Sequence, residues 1–66
     1  MTGKAYKSIR YRHYMTQESV ASMIGISRFT LSAYESDKVS IPITVSMKLN
    51  RIYNMDEDEI DRYMMM

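Results

Sequence analysis

The sequence predicts an all-α domain of five short helices. Apolar residues recur at helical spacing rather than in strand-like alternation. Residue types that start helices (Thr16, Ser27, Pro42 and Asp56) stand ahead of successive apolar segments. Glycine and proline number only two and one, which leaves little room for long loops or linkers.

The elements follow in order. Tyr6, Ile9 and His13 recur at i, i+3, i+7, which predicts a first helix from about Lys4 to His13, ended by Tyr14-Met15. Thr16 is an N-cap for a second helix, Gln17 to Ile24, whose apolar stripe is Val20, Ala21 and Ile24. Glu18 suits the positive end of its dipole, and Gly25 supplies the left-handed residue for a sharp exit. Ser27 caps a third helix, about Arg28 to Ser36, with Leu31 and Tyr34 toward the core and Phe29 off that stripe. After a loop from Asp37 to Ile41, Pro42 opens a fourth helix running to Tyr53. That helix buries Val45, Met47 or Leu49, Ile52 and Tyr53. Asp56 followed by Glu59 resembles a capping box and starts a fifth helix, Glu57 to about Tyr63, that packs Ile60.

A chain of 66 residues is one domain, 1–66, with a small core. The apolar tail at 63–66 reads as a frayed end or as a dimer contact, since methionine adapts to partner surfaces. No run approaches the roughly 18 apolar residues that span a bilayer, and no apolar signal-peptide run follows the start, so a soluble, cytoplasmic protein is expected. With no cysteine, a single histidine (His13) and an acidic run Asp56–Asp61 that lacks calcium-loop spacing, no metal site or cofactor is expected. No acid, base and nucleophile converge and there is no phosphate-binding glycine loop, which argues against an enzyme. The net charge is +1, yet Lys4, Lys7, Arg10 and Arg12 make one end basic while residues 56–61 make the other acidic. A basic end can face phosphate; ordinary solvated helix faces are the alternative.

Two short helices joined by a three-residue turn around Gly25 form a helix-turn-helix unit. Ala21 is small where the third helix crosses it, Gly25 reverses the chain, and Ile26 and Leu31 fill the gap between the helices. The stretch RYRHYMTQESVASMIGISRFTLSAYE, Arg10 to Glu35, resembles the phage repressor and Cro class, the lambda-repressor-like domains. LNRIYNMDEDEI, Leu49 to Ile60, is similar to that family's fourth helix and the start of its fifth.

The resemblance implies a compact five-helix domain that reads double-stranded operator DNA, often as a homodimer. It places Arg28, Phe29, Ser32 and Ala33 in the major groove and gives Ser27 and Thr30 a phosphate or a base edge. Gln17 would hold a phosphate and brace the recognition helix, and Lys38 would meet phosphate. Arg10 and Glu35 would form a partly buried ion pair. The chain departs from the family pattern at Tyr14 and Asp37, where glycine is common, and at Ile41, where proline is common and Pro42 comes one place later. On chemistry alone Arg28 suits the O6 and N7 of guanine, with a phosphate contact as the alternative, and Phe29 suits a thymine methyl, with a core position as the alternative. The function expected is a Cro-like repressor of a phage or mobile element with no small-molecule ligand. The competing expectation is a protein-interaction module, an antitoxin or adaptor, on the same fold.

Overall fold

A computed structural model describes residues 2–64. Five helices and no strand occur among the described residues: α1 Gly3–Arg12, α2 Gln17–Ile24, α3 Arg28–Glu35, α4 Ile43–Ile52 and α5 Glu57–Met64. α2 packs on α3, α1 on α3, and α4 on α2.

Cap chemistry accounts for where the helices start. Thr2 Oγ1 accepts the Ala5 N–H, Thr16 Oγ1 that of Ser19, and Ser27 Oγ that of Thr30, at 3.1, 3.0 and 3.0 Å. Asp56 Oδ1 accepts the Glu59 N–H at 2.8 Å. Pro42 is the residue before α4 rather than its first helical residue: its ψ of 148° is extended, so it occupies the N-cap and offers no side-chain bond.

The first four helices stop in one way. Tyr14, Gly25, Asp37 and Asn54 have φ of 55°, 76°, 60° and 51°. The N–H that follows each of them bonds back across the last turn, to the carbonyls of Arg10, Ala21, Ala33 and Asn50. Only one of the four is glycine. Asn and Asp tolerate the left-handed region because their short polar side chains bond locally, and Tyr14, 95 % exposed, has nothing crowding its ring.

The core comprises Ala5, Tyr6, Ile9, Val20, Ala21, Ile24, Leu31, Leu49 and Tyr53. Met15, Ile26, Ile41, Val45, Ile52 and Met55 pack around it. Each fully buried leucine contributes about 1.5–3 kcal/mol. Of the two alternatives on α4, Leu49 is buried and Met47 exposed. His13 is not on the buried stripe. It is the exposed C-cap of α1, and its ring packs against Tyr53 at 5.5 Å between centroids. Ile60 is half-buried. The tail expected to fray or to dimerise falls on side chains 63–66, outside the described residues.

Tyr6 joins α1 to α4: its hydroxyl meets Ser46 Oγ at 2.5 Å and donates to Asn50 Oδ1 at 2.7 Å. Burial raises the Tyr6 pKa, and the bonds to Ser46 and Asn50 oppose that.

Candidate nucleic-acid interface

One buried carboxylate fixes how α3 is presented. Glu35 is 1 % exposed at the end of α3, and it accepts Arg10 Nε at 2.8 Å, Arg10 Nη2 at 3.0 Å and Gln17 Nε2 at 3.0 Å. The remaining Arg10 nitrogen, Nη1, donates to the Met15 carbonyl at 2.9 Å. Side chains from α1 and α2 therefore converge on one residue of α3, and Arg10 also ties in the turn between those two helices. A two-point arginine–carboxylate contact fixes orientation as well as distance. The hydrogen bond to Glu35 drives the Arg10 pKa up, against the cost of burial. The ion pair is thus a structural tie, and one side-chain N–H of Gln17 braces α3.

Leu31 and Glu35 turn inward, and Phe29 and Ala33 lie about 120° and 160° from Glu35 around the helix; Arg28, seven residues before Glu35, is only about 20° from it and is exposed because it opens the helix. At 3.6 residues per turn, Arg28, Ser32, Phe29 and Ala33 fall within an arc of about 140°. Arg28 and Phe29 are exposed, Phe29 by 75 %, while Ser32 and Ala33 are half-buried. The Arg28 guanidinium lies over the Phe29 ring, 5.2 Å from its centroid. Phe29 is therefore no core residue. Thr30 sits to the side, half-buried, with its hydroxyl 2.9 Å from that of Ser27. Ser27 thus divides its oxygen between a neighbouring hydroxyl and a cap. Lys38 is exposed in the loop after α3, held by its backbone N–H to the Ala33 carbonyl at 3.0 Å.

A cleft opens beside the start of α3. It is lined by Lys7, Arg10 and Tyr11 of α1, by Met15, Thr16, Gln17 and Glu18, and by Arg28. Among the described residues, the N–H groups of Gln17 and Glu18 have no acceptor, as expected in a first helical turn. Such donors at the positive end of a helix favour an anion. Arg10 is committed to Glu35, so Lys7 and Arg28 are the cations facing this space. Tyr11 was missed by reading the apolar stripe. It is 59 % exposed, and the Arg10 guanidinium lies 4.7 Å from its ring centroid. The i, i+4 spacing of Lys7 and Tyr11 was the available signal that they share a helix face.

No group of His, Cys, Asp and Glu among the described residues could hold a metal ion, and no described helix is long and apolar enough to cross a membrane.

A family model described as helix-turn-helix matches residues 7–60, most of the chain. No curated protein and no solved structure gave a match.

Proposed function

The chain belongs to the helix-turn-helix family, of the Cro and lambda-repressor type, and on that footing we propose that it represses transcription by occupying a specific operator in double-stranded DNA. The observation that carries the reading is the exposed start of α3, where Arg28 and Phe29 stand. A guanidinium and an aromatic ring stand out from the start of a helix whose far end is locked by three hydrogen bonds. α3 lies in the major groove; Arg28 takes a guanine, Phe29 rests on a thymine methyl, and Ser32 and Ala33 meet base edges. Gln17, Ser27, Thr30 and Lys38 contact phosphate, joined by Lys7 and Tyr11 from the cleft. The protein binds as a homodimer, with half-site centres about 34 Å apart on one face of the duplex. It works in the cytoplasm, needs no small-molecule ligand or cofactor, and carries out no reaction.

The test is selection from random duplex DNA by the purified protein at two salt concentrations. A palindromic site that persists at the higher salt supports specific dimeric readout. Sequence-blind binding that disappears with salt reduces the interface to a basic surface on phosphate. The exposed Phe29, with Met23 and Met47 exposed elsewhere, would then favour a protein-interaction module.

A further inference from the structure

We propose that Phe29 is a positioning residue for Arg28, so that base discrimination by the guanidinium depends on the ring beneath it. The proposal rests on the reading of α3 as the DNA-facing helix and goes beyond an independent thymine contact by Phe29.

Successive residues on a helix point roughly 100° apart and do not ordinarily face each other. The 5.2 Å approach of the Arg28 guanidinium to the Phe29 ring therefore requires the arginine stem to bend toward its neighbour. No ion pair holds Arg28 there among the described residues. Its other neighbours are the cleft residues, among which Lys7 and Glu18 carry opposite charges and neither pairs with it. The negative face of an aromatic ring attracts a guanidinium at this distance. Phe29 has only two rotatable side-chain bonds and is 75 % exposed, with no packing role to explain it. A long flexible reader is thus given one direction before DNA arrives, which reduces the ordering cost of a two-bond contact with a base.

Two measurements test this. In the free protein, the Arg28 side-chain proton resonances should be displaced upfield by the ring current. They should return to ordinary positions in Phe29→Leu and stay displaced in Phe29→Tyr. Undisplaced resonances in the wild type overturn the proposal whatever the protein does with DNA.

On DNA, affinities are compared for the selected site and for its single base-pair variants. Arg28→Ala identifies the base pair that Arg28 reads. Phe29→Leu keeps an apolar group for a thymine methyl but loses the ring; it should lower discrimination at that same base pair by about 2- to 5-fold. Phe29→Tyr should retain discrimination, and Phe29→Leu should have no effect there once Arg28 is Ala. If Phe29→Leu alters only a neighbouring thymine, or acts equally with and without Arg28, the ring reads independently and the proposal fails. If Arg28→Ala changes no base preference, the operator reading of Arg28 has itself failed. The displaced resonances would then persist as a contact without that role, and the proposal falls with the reading.

Discussion

The carboxylate of Asp37, at the exit of α3, accepts the Gly3 N–H at 2.7 Å and the Lys4 N–H at 3.3 Å, and so caps a helix that begins 34 residues earlier. Thr2 takes the Ala5 N–H of the same turn. The two chain segments lie so close that a Cβ on Gly3 would overlap the Tyr34 carbonyl oxygen. A family glycine at position 37 would supply the left-handed turn alone; Asp37 keeps the turn at φ 60° and adds the cap.

Gly3→Ala should therefore destabilise the domain by about 1–3 kcal/mol, the usual cost of forcing a methyl into packed surroundings. Asp37→Ala loses the cap, worth about 1 kcal/mol, and puts a Cβ with no compensating bond in the left-handed region, at roughly another 1–2 kcal/mol. Asp37→Gly loses only the cap and should fall between Asp37→Ala and wild type. Urea unfolding followed by circular dichroism gives the order. Equal stability of the Ala and Gly variants would mean that the backbone strain is not there.

The Arg10–Glu35 pair supports a sharper expectation. Its side chains are 5 % and 2 % exposed, so removing one partner strands a buried charge. Glu35→Leu alone should cost about 3–5 kcal/mol, a large part of the stability of so small a domain. Arg10→Met together with Glu35→Leu should cost much less, because two apolar side chains of similar volume need no compensation. A double-mutant cycle by thermal unfolding measures the coupling. Additive losses would show that the pair contributes no more than two unrelated contacts.

Tyr53 gives the domain an alkaline limit. It is 1 % exposed, and its hydroxyl has no hydrogen-bond partner among the described residues. Its pKa is pushed up from 10.0 to about 12, first by burial and then by the nearby Glu35 charge, with Arg10 opposing. The folded state thus holds the phenol proton where the unfolded chain releases it. This stabilisation is complete below pH 10 and is lost as the pH rises toward 12; two pKa units correspond to about 3 kcal/mol. Unfolding free energy measured from pH 8 to 11.5 should fall steeply above pH 10. Tyr53→Phe should flatten that fall and, at neutral pH, should leave stability unchanged or raise it by about 1 kcal/mol, since it removes an unsatisfied buried hydroxyl. A clear loss of stability in Tyr53→Phe at neutral pH would show that the hydroxyl is bonded in solution.

Helix boundaries were legible because their signals are local. Thr16, Ser27 and Gly25 each act on residues within a turn of themselves, and α2 runs between the residues expected. The exposure of Phe29 was legible for the same reason: it falls outside the stripe that Leu31 defines. Contacts between distant segments were not. Nothing near Gly3 says that the Tyr34 carbonyl will lie against it, and nothing near Asp37 says that its carboxylate will cap α1. His13 was misplaced because an imidazole fits an apolar spacing as well as an exposed helix end, where its ring still covers Tyr53. The Arg10–Glu35 pair is likewise invisible to periodicity; the family resemblance implied it, and the structure holds the two side chains 2.8 Å apart.

The proposed function turns on a contrast between Arg28 and Lys38, both exposed and both cationic. Arg28 opens α3, on the arc with Phe29 and Ser32, so its guanidinium reaches wherever that helix face is directed. Lys38 lies beyond the far end of α3, on a loop, and in the proposed function its flexible ammonium serves phosphate as a point charge. Arg28→Ala should abolish preference at one base pair per half-site, about 1–3 kcal/mol of discrimination, while affinity for random DNA changes much less. Lys38→Ala should weaken operator and random DNA by the same factor and reduce the salt slope by about one. Fluorescence anisotropy on the selected site and on a scrambled duplex, across a salt series, separates the two. If Arg28→Ala lowers both affinities equally, Arg28 is a phosphate contact, and sequence reading must lie with Phe29, Ser32 and Ala33 or outside α3 altogether.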